Sequence, residues 1–160
     1  MIPLRDDIPA RRFPAATLAI IGLNAGVFLH ELTLGHRLGP AFFEWGLVPT
    51  RYTNAELADQ FGLVEQVAPF LSAMFLHGGW IHLIGNMWVL WIFGDNVEDQ
   101  LGRARFVALY LLSGIVAAIL HVVANAHSVL PAIGASGAVA GVMGAYVLLF
   151  PRARVATLIP

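Results

Sequence analysis

Three polar side chains stand in stretches that are otherwise apolar, and their types are those of acyl-transfer chemistry. His82 and Asn86 are spaced i and i+4, so on a helix both project from one face. Ser136 sits between small residues in Gly134-Ala135-Ser136-Gly137. A serine hydroxyl becomes a nucleophile when a base takes its proton, and an imidazole and an amide can each donate a hydrogen bond. Plainer readings exist for each. Gly137, Gly141 and Gly144, spaced four and three apart, form a stripe of the kind that lets membrane helices approach closely, and Ser136 is then one more small residue in it. A lone histidine in such a helix is more often an interhelical hydrogen-bond donor. The combination favours chemistry, because ionisable and polar residues inside membrane spans are costly and read as functional by default.

These residues must be positioned by membrane helices. The chain has 160 residues, 58% of them apolar and 12% charged, against roughly a quarter charged in an ordinary soluble domain. No charge occurs in residues 106–151, 67–94 or 13–30. A hydrocarbon core about 30 Å thick needs about 20 helical residues, which predicts four spans, at about 13–30, 71–94, 106–124 and 132–150. Asn125-Ala126-His127-Ser128 and Pro131 break the longest run between the last two. The pattern predicts an all-α polytopic membrane bundle. Arg5, Arg11, Arg12, Arg103, Arg105, Arg152 and Arg154 then all fall on one side, which places the N-terminus in the cytoplasm. The long segment 31–70 lies outside, and its aromatics (Phe42, Phe43, Trp45, Tyr52, Phe61) suggest an amphipathic structure in the interface. At about 1.5 Å per residue, His82 lies about 18 Å above Gly94 and Ser136 about 22 Å above Pro151. The three groups therefore share a depth in the outer half of the membrane if the second and fourth spans are neighbours, a contact that the glycine stripe should permit. The segment from Val155 onward is apolar, with no element assigned to it.

At this point the residues resemble a family. The stretch from Phe75 to Met87, with His77-Gly78-Gly79-Trp80-Ile81-His82 and Asn86, is similar to the second core helix of rhomboid intramembrane serine proteases. Gly94 to Gly102 resembles the family's Glu-x-x-x-Gly stretch through Glu98 and Gly102, and Ile133 to Gly141 resembles its nucleophile motif. The resemblance covers about residues 13–160. It implies a serine endopeptidase that cuts transmembrane protein substrates near the outer membrane face, in a bacterial inner membrane, without a cofactor or metal. Ser136 is then the nucleophile, and His82 and Asn86, with the Ser136 N–H, form the oxyanion site, each donor contributing about 3 kcal/mol. Glu98, Gly102, Gly137 and Gly141 are carried over as structural, the first two bracing the turn between spans two and three. His77 matches a position at the rim of the site.

Two departures stand beside the match. Rhomboids take their base histidine from a sixth helix, and no residue up to Pro160 matches it, so the base is expected beyond residue 160 and four of six spans are present here. Many members carry Trp-Arg in the outer loop, where this chain has Trp45-Gly46. His127 and His121 are the nearest substitutes for the base by topology, although an interhelical bond for His121 and a solvated His127 are the plainer expectations. The alternative function is a non-catalytic rhomboid-like protein that binds transmembrane segments. A net charge of −1 with scattered arginines gives no surface for nucleic acid, and the absence of cysteine excludes thiolate chemistry. Arg11-Arg12 before an apolar stretch also admits a signal peptide, but no Ala-x-Ala-like site precedes His30. His77 and His82 lack helical metal-ligand spacing, and no discontinuous-helix pair marks an ion path.

Overall fold

Apolar runs punctuated by glycine and proline give this chain long helices joined by tight connections, and a computed structural model describes residues 2–158 of it. Strand β1 (Ile2–Asp6) precedes helix α1 (Ala15–Thr33). Segment 31–70 then forms α2 (Leu38–Trp45) and a run of one-turn helices, α3 (Thr50–Thr53), α4 (Ala55–Ala58), α5 (Leu63–Val67) and α6 (Pro69–Ser72). Three long elements follow, α7 (Trp80–Leu101), α8 (Arg103–Ala124) and α9 (Ser136–Leu149), before strand β2 (Val155–Leu158).

Helices α1 and α8 are each long and apolar enough to cross a membrane. The expected second span, 71–94, is not one helix: Leu63–Phe75 and Trp80–Leu101 are apolar enough together, but they meet at a bend of 78°. The cause is the connection Leu76-His77-Gly78-Gly79, since glycine pairs lower the helical preference on which continuity depends. The expected fourth span, 132–150, is also shorter than its apolar run: Ser136–Leu149 has 14 residues and falls short of the length that crosses a membrane, so two helices, or three spans with the bent pair, meet that test among the described residues. Residues 132–135 are tied into other hydrogen bonds, Leu47 with Ala132 (3.0 and 2.8 Å) and Gly134 N–H to the Ala73 carbonyl (2.8 Å), so the helix begins at Ser136.

The core runs up the middle of α7, α8 and α9 through Leu90, Val97, Phe106, Tyr110 and Val142, all fully buried. Gly137 and Gly141 do not serve the contact between α7 and α9 that the stripe was expected to serve. A Cβ on Gly137 would strike Ala117 and one on Gly141 would strike Ser113, both on α8, while Gly144 faces open space. The α7–α9 contact rests instead on larger groups, such as Phe93 edge-on to Tyr146 at 4.8 Å between centroids.

Helix α1 is held by polar groups spaced seven apart, which on a helix is one face. Thr17, Asn24 and Glu31 are all buried. At the base, Glu98 of α7 accepts from Ala16 N–H (3.0 Å), Thr17 N–H (2.7 Å) and the Thr17 hydroxyl (2.8 Å). It thereby caps a helix whose own preceding residue, Pro14, offers no side-chain acceptor. Glu98 also stands 3.7 Å from Arg103 across the turn it was expected to brace, but its hydrogen bonds go to α1. Gly102 alone separates α7 from α8, at φ +79°, where a side chain is strained. Glu98→Ala is expected to lower unfolding free energy in detergent by about 2 kcal/mol, with Glu98→Gln keeping part of the cap. Denaturant titration checks this, and a midpoint unchanged in the alanine variant would remove the cap from the account.

Two further features were not expected. β2 pairs antiparallel with β1, Asp6 opposite Val155 and Ile2 opposite Leu158, with an irregularity between Pro3 and Arg5. Asp6 then accepts from Asn96 Nδ2 (2.7 Å) on α7 and from the Tyr146 hydroxyl (2.6 Å) on α9. Segment 31–70 is also firmly folded despite Trp45-Gly46. Arg51 donates to the Phe43 carbonyl and lies 4.4 Å over the Phe61 ring, Ser72 donates to the Trp45 carbonyl (2.6 Å), and Tyr52 donates to the Gln66 carbonyl (3.0 Å). Burial pushes the Tyr52 phenol up, which keeps it a neutral donor, although Arg51 opposes the shift.

Candidate active site

The first turn of α9 meets the first turns of α7, and this brings the three sequence candidates together. Ser136 is the first residue of α9 and is exposed on its face, while Asn86 is buried and His82 half-buried on α7. The Ser136 hydroxyl donates to Asn86 Oδ1 at 3.1 Å across the two helices. The Asn86 Nδ2 group donates to the His82 carbonyl one turn back, at 3.0 Å. Only the NH₂ end of the amide can bond a carbonyl, so this second bond fixes which end faces the serine. The serine proton is therefore held, and the second N–H of Asn86 is left for another acceptor. At the N-terminus of α9 the first backbone N–H groups have no partner within the helix, the usual condition for binding negative charge.

His82 reaches the site through a glycine that sequence reasoning did not single out. Gly134 has φ +120°, and a Cβ there would lie 2.5 Å from His82 Nε2. The imidazole thus rests against bare backbone two residues before Ser136. The readable signal was the glycine itself at that offset from the serine. His77, expected at the rim, is 1% exposed, and its ring stands edge-on to that of His82 with centroids 5.1 Å apart. Its Nδ1 is 3.2 Å from the Phe75 carbonyl, and its Nε2 is buried without a partner among the described residues.

A cavity of about 440 Å³ opens beside Ser136, bounded by Met74, Gly114, Ala117, His121, Ile133 and Gly134 among others. Small residues on α8 make the room. His121 lines this cavity, yet its Nδ1 lies 3.4 Å from Nδ2 of Asn125, the residue that ends the same helix, so the bond is local where an interhelical one was expected. His127 is exposed in the loop before α9. Neither ring is hydrogen-bonded to Ser136, whose hydroxyl meets Asn86. Among the described residues no group of three His, Asp or Glu side chains could hold a metal.

Comparison with known proteins places the chain in a family. Residues 64–160 match the family model described as Rhomboid domain. Rhomboid protein 1, mitochondrial, of Saccharomyces cerevisiae is 34% identical over 142 residues, which is 86% of this chain and 37% of that protein. RHOMBOID-like protein 5 of Arabidopsis thaliana is 36% identical over 142 residues, 88% of this chain and 42% of its own length. Presenilin-associated rhomboid-like protein A, mitochondrial, of Danio rerio is 36% identical over 88 residues, 54% of this chain and 23% of that protein. The chain spans less than half the length of each of these relatives, and the mitochondrial names of two of them do not fit the bacterial membrane that the resemblance implied. No solved structure matches it. With long apolar helices and a domain match over more than half its length, this is an integral membrane protein that belongs to the rhomboid family.

Proposed function

We propose that this chain carries the nucleophile and oxyanion half of an intramembrane serine endopeptidase acting on transmembrane protein substrates. The observation that carries the reading is the Ser136 to Asn86 hydrogen bond at the N-terminus of α9, with His82 one turn away. In the proposed reaction Ser136 Oγ attacks the scissile carbonyl carbon while its proton passes to a base. The carbonyl oxygen becomes the oxyanion and takes hydrogen bonds from the Ser136 N–H, from Asn86 Nδ2 and from His82. The C–N bond then breaks, the amine leaves with the proton from the base, and water hydrolyses the acyl-serine. Asn86 can hold the serine proton but cannot accept it, so a separate base is needed, and the resemblance suggests an imidazole, proposed to lie beyond residue 160.

The proposed topology has four spans with the N-terminus cytoplasmic. It is supported by the arginine distribution and by the pairing of β1 with β2, which brings residues 2–6 and 155–158 to one end of the bundle as an even number of crossings requires. The bacterial inner membrane proposed from the resemblance is opposed by the mitochondrial names of relatives. Fractionation of tagged protein from its host decides between the two.

The test is labelling with a fluorophosphonate probe in detergent, using the chain, the same reading frame carried to its stop codon, and Ser136→Ala of each. Labelling of the longer form, lost in the alanine variant, supports the reading. Labelling of the short form would bring His121 or His127 forward as the base. If neither form labels, the protease reading falls, and binding of transmembrane segments that survives Ser136→Ala takes its place.

A further inference from the structure

The break at residues 76–79 lies between two apolar helices, where a backbone N–H without a partner costs several kcal/mol. The N–H of His77 is met from another helix: the Glu31 carboxylate of α1 accepts it at 3.1 and 3.3 Å from its two oxygens. Glu31 is 3% exposed, and among the described residues no cation pairs with it. Burying a carboxylate is a costly way to satisfy one amide if nothing else is gained. What the bond fixes is the start of α7. The His77 ring packs edge-on against His82, and His82 rests against Gly134. Gly134 is tied in turn to Ala73, three residues before the break, by a 2.8 Å hydrogen bond. The segment 73–77 is therefore pinned at one end to the loop that delivers Ser136 and at the other to Glu31.

We propose that Glu31 is a positioning residue: by holding the His77 N–H it sets the His77 ring against His82 and so fixes the His82 imidazole beside Gly134. The placement of His82 is independent of the enzyme reading, while its consequence for catalysis rests on the function proposed above.

The experiment is diethylpyrocarbonate modification of the chain in detergent, with the rate at His82 followed by mass spectrometry. In Glu31→Ala the His82 rate is expected to rise several-fold as the imidazole is released. In Glu31→Gln it returns close to the original, because an amide oxygen still accepts the His77 N–H. Asn24→Ala removes a buried polar group from the same face of α1, so it is expected to lower the unfolding midpoint but leave the His82 rate alone. An unchanged rate in Glu31→Ala, or equal rises in Glu31→Ala and Asn24→Ala, overturns the proposal. Should Glu31→Ala fail to fold, His77→Leu keeps the backbone bond and removes the ring, and an unchanged His82 rate there overturns it equally. Ser136 labelling is read separately. A shifted His82 rate with no labelling in any form sinks the enzyme and spares the positioning role, whereas labelling with an unmoved His82 does the reverse.

Discussion

Replacing Asn86 with alanine in a form that labels at Ser136 is expected to slow acylation by about 10²- to 10³-fold, the range for loss of one oxyanion donor. Two of its contacts predict this. The amide fixes the serine hydroxyl at 3.1 Å, and its bond to the His82 carbonyl leaves one N–H for a further acceptor. Alanine removes both the anchor and the donor from a site where water cannot replace them as well, since hydrogen bonds weigh more at low dielectric. Asn86→Asp is informative beside it. A carboxylate can still accept from Ser136 but donates nothing, and its charge opposes an oxyanion, so it should be at least as slow as alanine. The measurement is the pseudo-first-order rate of probe incorporation, normalised to folded protein. A loss below about tenfold would mean that Asn86 positions the serine without touching developing charge.

The second large effect is on assembly of the bundle. Gly141→Leu is expected to destabilise the protein by about 3 kcal/mol, at the upper end for overpacking, because a Cβ there already overlaps the Ser113 side chain and its Cα is 3.7 Å away. The neighbouring α8 backbone would have to retreat, since a glycine stripe works by letting backbones touch. Gly144→Leu is the matched control: nothing lies within 4 Å of a Cβ at that position, so its midpoint should stay within about 0.5 kcal/mol of the parent. Equal losses in both variants would mean that α9 resists bulk anywhere and that the α8 contact is not special. Because Ser136 opens the same helix, Gly141→Leu should also reduce probe labelling more than its loss of folded protein explains.

Much of this site was legible in the sequence, and the reason is geometric. The i, i+4 spacing of His82 and Asn86 fixes a face, and charge-free runs fix depth, so matching heights for His82 and Ser136 followed without knowledge of neighbours. What periodicity cannot supply is the identity of the neighbour. Gly137 and Gly141 were rightly read as a contact stripe, but a stripe does not say whether α7 or α8 fills it. Glu98 shows the same limit: it is 81 residues from Thr17, and nothing local to either marks the capping bond. The bend before α7 was foreshadowed by Gly78-Gly79, yet the hydrogen bonds made around it come from Glu31 and Gly134, which arrive from elsewhere in the chain. The β1–β2 pairing left no trace, because four or five residues with no clean alternation carry no strand signal.

The seven-residue spacing of Thr17, Asn24 and Glu31 along α1 also limits how this protein can adapt to its bilayer. Sliding α1 by one helical turn, about 5.4 Å, would bring Thr17 away from Glu98 and Glu31 away from His77 in the same step. The next displacement that realigns polar with polar is a full heptad, about 10.5 Å, farther than any ordinary difference in membrane thickness. Helix α1 is thus keyed to the bundle like a ratchet with two distant stops. Thicker or thinner lipid must be met by tilting the whole bundle or deforming the lipid around it, so bilayer thickness can change how the bundle sits without changing how α1 seats against α7.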